Sequence, residues 1–108
     1  MTRYLLIESR DPFENGDVES DFALARDLAG SEANVTVFLA QNGVLPARRR
    51  ARASELDQLL AGRVRVMADE FSLRERAIAS RDLRTSVAAA PLDVVLDALV
   101  AGDRVLWM

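Results

Sequence analysis

Three short polar stretches stand where an α/β protein usually does its chemistry. Glu8-Ser9-Arg10-Asp11, Gln41-Asn42-Gly43 and Asp69-Glu70-Phe71-Ser72 each follow an apolar run. In an open parallel sheet, ligands bind just outside the C-terminal ends of the strands. Asp69 and Glu70 could divide acid and base roles if burial separated their pKa values. Adjacent residues on a strand or turn point apart, however, and a solvated loop or an interface contact is the simpler reading. The Ser72 hydroxyl would need a base to become a nucleophile, and it more simply caps a helix. Asn42 and Gly43 precede a possible helix start whose free N–H groups could hold an anion. The plainer alternative is a tight strand-to-helix turn that needs glycine for its backbone angles. The candidate ligand-binding set is therefore Arg10, Asn42, Gly43, Asp69, Glu70 and Ser72. No catalytic residue and no metal ligand is assigned.

What the chain lacks narrows the chemistry further. Its 108 residues contain no Cys, no His and no Lys, and all 14 basic residues are Arg. Disulfides, thiolate nucleophiles, persulfide carriers and cysteine-held iron–sulfur clusters are excluded. The one side chain that titrates near neutrality unaided is missing. Schiff-base lysines and P-loop lysines are missing too. No G-x-G-x-x-G pattern occurs, so nucleotide binding has no motif behind it, and no cofactor is expected. An enzymatic role is disfavoured on these grounds.

The charge is uneven. Residues 1–47 carry three Arg against eight acids, and residues 48–108 carry eleven Arg against nine acids, within a net charge of −3. A general nucleic-acid binder is not expected from that balance. Arg48, Arg49, Arg50 and Arg52 form the densest basic cluster. It admits three readings: a solvated helix face, an intersubunit partner for the acidic N-terminal half, or an anion or RNA patch. No aromatic residue is interleaved, so base stacking lacks support. Phe13 and Trp107 are the other interface candidates, since aromatic residues are enriched at subunit contacts.

Alternating elements must position these groups. Tyr4–Ile7, Val35–Leu39 and Val64–Ala68 read as buried strands, with a weaker strand near Thr85–Ala89 and a closing one at Val105–Met108. Val18, Phe22, Ala25 and Ala29 make a helical stripe, with Asp17 as its cap and Gly30 at its end. Ser54-Glu55-Leu56-Asp57 resembles a capping box, and Ser72-Leu73-Arg74-Glu75 matches one, opening a short helix through about Ala79. Pro91, Asp93 and Gly102 frame a helix whose core face is predicted to be Leu92, Val95, Leu96, Leu99 and Val100. Pro46 could open a further helix, but Val44–Arg52 is otherwise hard to read. The pattern predicts one α/β domain over residues 1–108, a three-layer sandwich around a mainly parallel sheet of four or five strands.

At this level the chain resembles the DsrE/DsrF-like family. Val35-Thr36-Val37-Phe38-Leu39-Ala40-Gln41-Asn42-Gly43-Val44 is similar to that family's "VTVFL…DGV" stretch, with Asn in place of the usual Asp. Arg76-Ala77-Ile78 stands where the family commonly has Arg-Gly-Leu. Leu92 to Trp107, with Ala101-Gly102-Asp103-Arg104-Val105-Leu106, resembles the last helix and closing strand. The resemblance implies a compact domain that assembles into dimers, trimers or hexamers. It also implies, for sulfur-relay members, a persulfide-carrying Cys just after the third strand. Here that position reads Ala68-Asp69-Glu70-Phe71-Ser72, closer to the Cys-less DsrH (TusB) branch. The expectation is a non-catalytic oligomeric subunit, as a homo-oligomer or with a DsrE-like homologue. The alternative is a small-molecule or anion binder at the C-terminal edge of the sheet. No segment suits a membrane span or a signal peptide, so the cytoplasm is the default location.

Overall fold

The computed structural model describes residues 2–108. Five strands, β1 (Arg3–Glu8), β2 (Asn34–Leu39), β3 (Arg65–Asp69), β4 (Val87–Ala90) and β5 (Arg104–Trp107), form one sheet. Its order is β4-β3-β2-β1-β5, and every pairing is parallel. Helices α1 (Asp17–Gly30), α2 (Ser54–Ala61), α3 (Glu70–Glu75) and α4 (Asp93–Val100) join the strands. Two 3₁₀ segments, Gln41–Ala47 and Ser80–Asp82, complete the chain.

The topology explains which helix covers which face. The chain steps from β1 through β4 in one direction, so right-handed crossovers keep α1, α2 and α3 on one side. After β4 it crosses back to lie beside β1, and the same handedness carries α4 to the opposite side. The two cores follow. On the first face Val18, Phe22, Leu56, Leu59 and Leu73 pack on Leu6, Val35, Val37, Leu39, Val66 and Ala68. On the second, Val95 and Ala98 of α4 pack on Leu5, Ile7, Phe38 and Ala90.

Several local expectations change. The inward stripe of α4 is Val95 and Ala98, with Val94 partly buried. Leu92, Leu96, Leu99 and Val100, assigned to the core from their spacing, face outward at 56% exposure or more. Asp17 is the first residue of α1 and not its cap; its N–H is received by Asn15 Oδ1 at 2.9 Å. Ser54 caps nothing, because α2 starts on it after Ala53. Ser72 is likewise inside α3, whose N-cap is Asp69, and the helix ends at Glu75. Pro46 lies in the 3₁₀ segment, so Arg48, Arg49 and Arg50 occupy no helix face. They run through a connector in which Arg48 forms an antiparallel bridge to Leu83.

Candidate functional site

The C-terminal ends of β1, β2 and β3 do share one edge of the sheet, and two polar networks form there. The first starts from strand alternation. Tyr4 and Leu6 of β1 face α1, so Glu8 at the strand end does as well, and it is only 1% exposed. Its Oε1 accepts from the Arg10 backbone N–H at 3.2 Å and from Arg10 Nε at 3.3 Å. Arg10 Nη2 donates in turn to Asp21 of α1 at 3.0 Å. Oε2 of Glu8 has no hydrogen-bond partner among the described residues. Burial, reinforced by the neighbouring Asp21 carboxylate, pushes the Glu8 pKa up to about 7, with Arg10 opposing the shift.

Gly43 belongs to the same corner. A Cβ on it would stand 2.2 Å from the Glu8 carbonyl oxygen, so the 3₁₀ segment reaches the end of β1 only as bare backbone. Glycine is needed here for close approach and not for an unusual backbone angle. The left-handed conformation falls on Gln41, at φ 52°.

The second network ties β3 and α3 to the 3₁₀ segment. Asp69 Oδ2 accepts from the Ser72 N–H at 3.0 Å and from the Ser72 hydroxyl at 2.7 Å. Ser72 Oγ accepts from the Gln41 N–H at 2.8 Å. Arg76 grips Asn42 Oδ1 with Nε at 3.1 Å and Nη2 at 3.0 Å, and donates from Nη1 to the Ser72 carbonyl at 3.2 Å. Each polar atom named here already has a partner within the fold. Ser72 is 2% exposed and donates to a carboxylate that already caps a helix, so the arrangement fixes a crossover. Glu70, the first residue of α3, is half-buried and takes no part in these hydrogen bonds.

The interface candidates separate into three places. Arg48, Arg49 and Arg50 line a cavity of about 340 Å³ together with Arg76, Ala77, Ile78 and Asp82. Phe13, 83% exposed, and Arg52 share a different cleft of about 250 Å³ between the loop after β1 and the start of α2. Trp107 lies on β5 and is exposed. Among the described residues no group of three or more acidic side chains is placed to hold a metal ion.

Three side chains of these networks lie outside the candidate set, and Gln41 joins through its backbone N–H alone. Glu8 was readable from its period-two position after Tyr4 and Leu6, which turns a polar strand end inward. Asp21 and Arg76 carry no such local signal, because their partners lie 11 and 34 residues away.

No protein-family model matches the chain, and no curated protein matches its sequence. Solved structures do resemble it. The ychN protein from E. coli superposes with a TM-score of 0.89 at 20% identity, over 100% of both chains. MTH1491 from Methanobacterium thermoautotrophicum, a protein of unknown function, gives 0.88 at 18% identity, again over 100% of both. BT1422 from Bacteroides thetaiotaomicron, also of unknown function, gives 0.76 at 15% identity over 97% of this chain and 94% of that one. At these identities the likeness is one of fold.

Proposed function

We propose that this chain is a non-catalytic, DsrE-like subunit that works in the cytoplasm as a homo-oligomer or beside a DsrE-like homologue. The observation that carries the reading is the outer stripe of α4. Leu92, Leu96, Leu99 and Val100 recur at helical spacing on its solvent side, and Trp107 adds an exposed aromatic ring on the adjacent β5. A helix apolar on nearly all sides belongs to a buried position, with the sheet beneath it and a second surface above. Subunit burial also suits a small domain, which hides only about 60–70% of its unfolded surface by itself.

The absence of Cys, His and Lys supports the non-catalytic half of the reading, as does the engagement of Asp69, Ser72 and Asn42 with one another and with Arg76. A sulfur carrier, if one takes part, must come from another chain. Native mass spectrometry of the purified protein tests the assembly. The expected result is a multimer, or a complex with a co-purifying partner, that Leu96→Asp with Leu99→Asp reduces to a single chain. A strict monomer across micromolar concentrations with no partner would refute it.

A further inference from the structure

The arginine-lined cavity is a separate feature from the apolar stripe of α4. It lies between the connector that follows the first 3₁₀ segment and the turn that follows α3. Four arginines, Arg48, Arg49, Arg50 and Arg76, face one acid, Asp82, which leaves a formal charge of +3 on the lining. The Asp82 carboxylate accepts from the Ala79 N–H at 3.3 Å. The nearest other acid is Glu75, 3.8 Å from Arg76 Nη1. Arg48, Arg49 and Arg50 have no carboxylate within 4.0 Å among the described residues, unlike Arg3, Arg10, Arg26, Arg76 and Arg84.

Two of the four guanidinium groups are already oriented. Arg48 Nε donates to the Leu45 carbonyl at 2.9 Å, which leaves both terminal nitrogens of its fork free. Arg76 is held by Asn42 and the Ser72 carbonyl, yet each terminal nitrogen keeps one N–H to spare. Orientation before binding lowers the ordering cost that a ligand must otherwise overcome. The planar fork of arginine matches phosphate oxygens in pairs, and it forms the shorter, stronger class of hydrogen bond with them. Ala77 and Ile78 supply an apolar wall, and no aromatic ring is present to stack a base.

We propose that this cavity binds a compact small molecule carrying a diphosphate group. A phosphate monoester, at about −1.5 to −2 near neutral pH, offers a single phosphoryl group to four guanidinium groups, whose net charge is +2 once Glu75 is counted against Arg76. A diphosphate supplies more charge within a space of about 340 Å³. The cavity is too short of planar apolar surface to add specificity for a nucleobase. Binding weakens as salt rises, because the arginines are solvent-accessible.

Isothermal titration calorimetry of the intact protein with inorganic diphosphate tests the proposal. The expected result is one site per chain with a Kd of about 1 mM or tighter. Arg49→Ala with Arg50→Ala should raise that Kd roughly 10-fold or more, with the oligomeric mass unchanged. Arg63→Ala, an exposed arginine outside the lining, should leave it as it was. Should the double variant fold poorly, Arg50→Lys preserves charge but not the fork, and should still weaken binding. No saturable heat, or an equal loss in Arg63→Ala, would overturn the assignment. So would saturable binding of a polyglutamate peptide or a single-stranded RNA with none of diphosphate.

Discussion

On one face of the sheet, α1 and α2 press Phe22, Leu56 and Leu59 onto Leu6, Val37 and Val66, and all six are almost inaccessible. On the other face α4 alone turns Val95 and Ala98 inward, while Leu92, Leu96, Leu99 and Val100 look away from the protein. Both faces come from apolar sequence, so hydrophobicity does not distinguish them. The number of crossovers does. Three connections fall on the first side and one on the second, and a single eight-residue helix cannot cover five strands. The second face keeps the larger side chains of its helix for something other than its own core.

Variants that act on the two faces should separate them. The largest effect is expected on the closed face. Phe22→Ala should cost about 3–5 kcal/mol in denaturant unfolding, from lost burial plus the cavity it leaves. That loss should not depend on protein concentration. Leu96→Ala should alter the unfolding of the dilute protein by no more than about 0.5 kcal/mol, yet shift its association measured by light scattering. Equal losses at both positions would erase the distinction between the faces.

The next effect concerns Glu8, a carboxyl buried beneath α1. Glu8 has a folded pKa of about 7 against an ordinary value of 4.5. The folded protein therefore holds this proton more tightly than the unfolded chain does. The stability the group contributes is full below its ordinary pKa and is lost as pH rises through about 7. Between those limits the wild type should lose about 3 kcal/mol at most. Glu8→Gln should flatten that slope and make the protein the more stable form at about pH 8. A slope unchanged in the variant would move its origin elsewhere.

The smallest effect lies in the turn that follows α3 on the first face. Ala77 has φ 54° and an exposed side chain, in the turn after α3 where the family resemblance has glycine. Ala77→Gly should raise the melting stability by about 0.5–1 kcal/mol, the relief of the left-handed strain less the added chain entropy. A destabilised variant would show that the methyl group packs more than its exposure suggests.

Sequence pattern reached the strands with ease because each central one is a short apolar run, as at Val35–Leu39. It also found α4, framed by Pro91 and Gly102, and its inward Val95, but assigned the outward Leu92, Leu96, Leu99 and Val100 to the core. A helix with two apolar stripes offers no rule for choosing between them, and the sheet beneath took the smaller pair. The stretch around Pro46 resisted reading because a 3₁₀ segment has no amphipathic period to detect. At the site, the strand ends were legible as an edge. Their internal wiring was not: the Ser72 hydroxyl and the Gln41 N–H lie 31 residues apart, and nothing local links them.

The pairing of β1 with β5 also sets an order of events. Its register joins Tyr4 to Arg104, so the contact must wait for the closure of a loop of 100 residues. Until β5 docks, one edge of β1 offers an open row of backbone donors and acceptors to any extended chain nearby. β5 itself is largely exposed, and it forms the edge of the finished sheet. Amide hydrogen exchange should therefore proceed faster across β5 than across β2, since β5 is paired on one side only and β2 on both. Each such opening briefly restores the unfinished edge.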